Sequence, residues 1–69
     1  MNVKLIDFMN IITYNEKIEI YDKNDCFLFL GNKNHIVSLL HKKQGIATKK
    51  IIGFLVYKDT ISINIDYEK

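Results

Sequence analysis

The chain has no proline, no tryptophan, no arginine and a single cysteine, Cys26. A lone thiol cannot close an internal disulfide, so the stapled framework of small secreted domains is excluded. Without arginine, the commonest side chain for reading guanine edges is missing. Long apolar runs are missing too. The longest, Ile51 to Tyr57, falls far short of the roughly 20 residues needed to span a bilayer. The opening Met1-Asn2-Val3-Lys4 precedes an apolar stretch broken at Asp7, which does not read as an export signal. The expected location is a reducing cytoplasm, with no membrane contact.

What is present makes one domain of 69 residues. A chain this short buries only about 60% of the surface its unfolded form exposes. Ordering costs on the order of 1.5 kcal/mol per residue, so its margin is thin, and a partner chain or self-association is the expected supplement. The composition is rich in Ile, Lys, Asn, Asp and Tyr, whose codons are mostly AT-rich.

Charge is unevenly placed. Residues 1–25 hold three lysines against five acids, whereas Cys26 to Lys58 holds six lysines and no acid, and 59–69 is acidic again. Such asymmetry bears on partners and steering rather than on fold.

Periodicity predicts an α+β fold in the order α-β-β-α-β-β, with a four-stranded, mainly antiparallel sheet and two short helices on one face. Asn2 is a candidate N-cap for a helix carrying Leu5, Phe8, Met9 and Ile12 on one side, with Thr13-Tyr14-Asn15 as connector. Lys17 to Tyr21 alternates as a strand, Asp22 to Asp25 is turn chemistry, and Cys26 to Leu30 returns. Asn32-Lys33-Asn34 caps a helix from His35 to about Lys42, with Ile36, Leu39 and Leu40 inward and Gly45 closing it in the left-handed region. A loop from Gln44 to Thr48 leads to strands over about Lys50–Tyr57 and Thr60–Tyr67, joined by Lys58-Asp59.

Two-residue turns set the expected register. Lys58-Asp59 places Val56, Phe54 and Ile52 opposite Ile61, Ile63 and Ile65 on the core face. Lys23-Asn24 places Ile20 opposite Phe27 and Ile18 opposite Phe29, and a three-residue loop would invert one strand. The other face then carries Tyr21, Cys26, Leu28, Leu30, Ile51, Leu55 and Tyr57 with nothing left to cover it. An apolar patch of that size usually marks an interface, and Tyr21, Leu28, Leu30, Ile51, Leu55 and Tyr57 are the candidate partner-binding residues. The ordinary alternative is a long loop or the first helix folded across it.

Chemistry is sparse. His35 and His41 lie six apart, about 240° around a helix, and cannot share a metal. Cys26 has no cationic neighbour in sequence to activate it as a nucleophile. Asp22 and Asp25 fit a turn better than an acid/base pair, and the three glycines form no phosphate-cradling loop. The expectation is a protein that is not an enzyme and uses no metal or cofactor. The strongest polar feature is the basic cluster Lys33, Lys42, Lys43, Lys49 and Lys50, which suits an acidic protein surface or nucleic-acid phosphates. A merely solubilising face is the commoner reading of lysines without arginine. Tyr21 and Tyr57 could stack bases, but Glu19, Asp22 and Asp66 oppose a polyanion there.

Val3 to Met9, Lys17 to Asp22 and Phe27 to Gly31 resemble a group of small uncharacterised proteins of phages and mobile elements in low-GC Gram-positive bacteria. The resemblance covers the first half, where its motifs set fold rather than catalysis. Leu30 stands where a charged residue is expected, and the basic loop after the second helix is longer. The resemblance implies a stoichiometric, anti-CRISPR-like inhibitor that occupies a host protein's working surface, such as a defence nuclease. The other expectations are a nucleic-acid accessory protein using the lysines, and a homodimer whose sheet faces pack together.

Overall fold

Apolar spacing and a few backbone bonds account for the helices in the computed structural model, which describes residues 2–12 and 17–69. The expected connector Thr13-Tyr14-Asn15 lies outside the described residues. Helix α1 (Leu5–Ile11) buries Leu5 and Met9, one turn apart, with Ile6, Phe8 and Ile12 packed beside them. Asn2 does not cap it. The helix starts after Lys4, and the Leu5 N–H donates to the Lys49 carbonyl at 2.8 Å. Strands β1 (Lys17–Tyr21) and β2 (Phe27–Gly31) follow.

Helix α2 (Lys33–Lys42) is capped as its sequence suggests, with Asn32 Oδ1 accepting from the His35 N–H at 2.9 Å. It buries Ile36 and Leu40. Gly45 does not end it, since no glycine has positive φ. Lys43 interrupts the helix instead, and the expected loop forms a short third helix, α3 (Gln44–Ala47), which buries Ala47. A three-helix layer therefore replaces the expected pair. Strands β3 (Ile51–Tyr57) and β4 (Thr60–Ile65) complete the chain.

The sheet order is β2-β1-β4-β3. Both hairpins are antiparallel, but they meet along a parallel β1–β4 seam, so the sheet is mixed. Along that seam Ile18 lies beside Ile61 and Ile20 beside Ile63. These four, with Ile51 and Ile65, meet Leu5, Met9, Ile36, Leu40 and Ala47 in one core on the helical side.

The β3–β4 hairpin turns over Lys58-Asp59, with Lys58 at positive φ, and keeps the expected pairs Tyr57–Thr60, Val56–Ile61 and Phe54–Ile63. Further on, a bulge inserts Ile52, so Ile51 rather than Ile52 pairs with Ile65 and turns inward. The first hairpin departs more. Asp22 N–H donates to the Cys26 carbonyl at 2.9 Å across three residues, the last of which, Asp25, is left-handed. That extra turn residue puts Phe27 opposite Tyr21, on the outer face. A bulge at Leu28 adds a second one-residue shift, so Phe29 pairs with Ile20 and Leu30 with Glu19, and the expected partner of Phe29, Ile18, pairs with Gly31. The two shifts add up to a two-residue slide, which returns Phe29 to the inner face, while Phe27 and Leu28 exchange environments.

Coverage of the inner face is uneven. Helix α2 packs on β1 and β2 and against α1 and α3. On the β3 side, Phe8 reaches Phe54 with ring centroids 5.8 Å apart, yet Phe54 and Val56 stay exposed.

Candidate interaction surface

Strand alternation and register define an outer face of three rows. Leu30, Glu19, Ser62 and Leu55 form one row across all four strands; Phe27, Tyr21, Asn64 and Gly53 form the next; Lys17, Thr60 and Tyr57 form the third. Apolar side chains occupy the two outer strands and polar ones the middle. Phe27 and Leu30 stand about half exposed, as do Leu55 and Tyr57 at the opposite edge.

The polar middle is organised by Glu19. Tyr57 Oη donates to Glu19 Oε1 at 2.9 Å, reaching over β4 from β3 to β1. This bond, then partial desolvation and the carboxylate's charge, raise the Tyr57 phenol above its ordinary pKa. Tyr21 is raised as well, first by desolvation and then by the charge and hydrogen bonding of Glu19. Its ring meets Phe27 edge-on, with centroids 5.8 Å apart and planes at 75°. Both phenols thus stay protonated near neutrality.

One flank is tied by Asp22, which is buried. Its Oδ1 accepts from the N–H groups of Asn24 (2.8 Å) and Cys26 (2.9 Å), and its Oδ2 from that of Lys69 (3.1 Å). The Cys26 bond foremost, then those of Lys69 and Asn24, lower its pKa against the opposing effect of burial. Asn64 Nδ2 adds bonds to the Asp22 carbonyl (3.1 Å) and to Asp25 Oδ1 (2.7 Å). The first turn, β4 and the final residues are thereby locked together.

Of the six apolar residues expected on this face, Tyr21, Leu30, Leu55 and Tyr57 lie on it. Ile51 is fully buried in the core because of the bulge at Ile52, and Leu28 packs half-buried against that core. Phe27 takes the vacated place. Only the left-handed tolerance of Asp25 in the sequence hinted at this exchange. The lysines also divide. Lys33 Nζ donates to the Ile12 carbonyl, capping the end of α1 from the start of α2. The other four sit at the far end of α2 and beyond α3, where Lys42, Lys43, Lys49 and Lys50 are exposed and Lys4 bridges to Lys50.

Among the described residues no group of three or more histidine, cysteine, aspartate or glutamate side chains could hold a metal, and no pocket opens. Cys26 is exposed. No helix is long and apolar enough to cross a membrane. No protein-family model matches the chain, and neither a curated protein nor a solved structure is similar to it.

Proposed function

We propose that this chain is a non-enzymatic binding protein that captures a protein partner on the outer face of its sheet. The observation that carries the reading is the unsheltered arrangement of Phe27, Tyr21 and Leu30 on one flank and Leu55 and Tyr57 on the other. Around it, hydrogen bonds to Glu19 and Asp22 hold the surface in one shape, which lowers the ordering cost of binding. Aromatic anchors beside a polar middle match the composition of interface hot spots. Lys42, Lys43, Lys49 and Lys50 supply a basic end that would accelerate encounter with an acidic partner.

The mechanism is occlusion of the partner's working surface. The resemblance to phage and mobile-element proteins favours a host defence protein as target. A nucleic-acid role rests on the exposed lysines alone, and Glu19 and Asp25 oppose a polyanion on the sheet.

Affinity capture from a bacterial host lysate, read by mass spectrometry, tests the proposal. Tyr21→Ala is expected to weaken the captured complex by about 2 kcal/mol, roughly thirtyfold. Leu30→Asp should weaken it further. Should both variants retain their circular dichroism and still capture the same proteins to the same extent, the outer face is not the binding surface.

A further inference from the structure

Strand β3 ends the sheet on one side, and the only neighbour beyond it among the described residues is the N-terminal segment. That segment covers one end. Lys4 bridges to Lys50, and the Ile51 N–H donates to the Val3 carbonyl at 2.8 Å. From Ile52 to Tyr57 no described residue pairs with the edge. Its side chains are apolar on both faces, with Ile52 52%, Phe54 46%, Leu55 62%, Val56 56% and Tyr57 42% exposed. Natural sheets blunt such edges with charge, proline or a covering element, and an uncharged open edge is a template for another strand. Between Lys50 and Lys58 there is neither a charge nor a proline.

We infer that this edge pairs antiparallel with the same edge of a second copy, joining two four-stranded sheets into one of eight strands. The inference goes beyond the proposed function, because its contact is edge to edge and leaves the Phe27, Tyr21 and Leu30 flank of each outer face free. Unpaired backbone groups call for a strand as the occupant, and the β3 sequence is complementary to itself about Leu55. With Leu55 on the two-fold axis, Phe54 meets Val56 of the second copy on the helical side. On the outer side Tyr57, whose ring leans over β4 toward Glu19, stands level with Gly53 of the second copy, where a side chain would find nothing within 4 Å, so the pair is unobstructed. Backbone groups in an antiparallel strand point alternately to each side. Because Tyr57 and Thr60 close the two-residue turn toward β4, those of Phe54 and Val56 face the open edge.

The N-terminal segment sets the limit of this register. A slide toward Ile51 would drive the second copy's turn into Val3 and Lys4. In the register centred on Leu55 the paired stretch runs from Gly53 to Tyr57 of each copy and stops short of Val3. Five half-exposed side chains, two of them aromatic, flank the paired stretch. A contact of one strand pair stays below the roughly 1,000 Å² that a stable specific interface buries, so the dimer is a weak one.

Sedimentation equilibrium of the full chain from micromolar to millimolar concentration should show monomer–dimer exchange. Leu55→Lys places like charges face to face on the axis and is expected to weaken association about tenfold or more. Leu30→Lys, on the far strand, should leave association unchanged. On a Cys26→Ser background, Leu55→Cys should oxidise to a covalent dimer, because non-hydrogen-bonded pairs lie about 4.5 Å apart at Cα, within disulfide reach. A monomer throughout the range overturns the inference. So does a dimer broken by Leu30→Lys and not by Leu55→Lys, which would mean that sheet faces pack together.

Discussion

Strands β3 and β4 run side by side and are mirror opposites in one respect. β3 is apolar at every position but Gly53, and all its side chains except Ile51 stand largely exposed. β4 alternates isoleucine with serine and asparagine, and its three isoleucines and Thr60 are buried. Hydrophobicity decides which face of a strand turns inward, whereas place in the sheet decides how much of that face is covered. β4 lies between β1 and β3 and shares its isoleucines with Leu5, Met9, Ile36 and Leu40 in the core, while of β3 only Ile51 joins that core. Apolar content on an edge is thus a statement about partners more than about the core.

The comparison would break first at Ile63. Ile63→Ala removes a fully buried side chain at the parallel seam and should cost about 3–4 kcal/mol in urea unfolding. A domain of this size holds only ~3–10 kcal/mol, so the variant will be close to unfolding. Phe54→Ala, its cross-strand partner on β3, should cost about 1 kcal/mol. Equal costs would mean that the edge is covered after all.

Next in size is the acid limb of stability. Asp22 has its pKa lowered by accepted hydrogen bonds, so the fold favours its charged form. Its contribution is present above the ordinary carboxylate range and is lost as pH falls through the lowered value. Asp22→Asn should therefore be less stable at neutral pH and show a flatter decline into acid, followed by thermal unfolding across that range. An unchanged acid limb would show that the first hairpin is not tied down by this side chain.

The smallest effect is spectroscopic. Tyr57 and Tyr21 are raised in pKa, so their neutral forms favour the fold below the ordinary phenol value, and that contribution disappears as pH rises through the raised ones. Glu19→Gln should bring the Tyr57 phenolate transition down most, because its bond to Glu19 is the leading cause there. Tyr21 should stay partly raised by desolvation. Equal shifts would contradict the reach of Tyr57 across β4.

Much of the fold was legible because it rests on local chemistry. The spacing of Leu5 and Met9, the Asn32 cap, the alternation of Ile61, Ile63 and Ile65 and the turn at Lys58-Asp59 each act within a few residues. What was not legible involves distant parts of the chain. The parallel seam depends on how two hairpins dock, which neither hairpin's sequence encodes alone. Ile51 changes face because of the bulge at Ile52, and Leu28 because of the extra residue in the first turn, since a one-residue shift turns the following side chains over. Lys33 left the basic cluster for a carbonyl 21 residues away, at the end of α1. Of the outer surface, Tyr21, Leu30, Leu55 and Tyr57 were legible from alternation, and Phe27 was hidden by one extra turn residue.

The parallel seam also governs how the molecule can come together. Strands β1 and β4 stand next to each other although more than forty residues separate Ile18 from Ile61 along the chain. Neither ribbon has enough shelter to persist alone, since two isolated strands are marginal in water. Productive collapse must therefore wait for a large loop to close, an entropic toll met before most native contacts exist. A protein this small would ordinarily fold within microseconds to milliseconds; here milliseconds or longer is the natural timescale. Throughout that wait the greasy β3 segment travels without its seam, which makes the unassembled chain its own chief aggregation hazard.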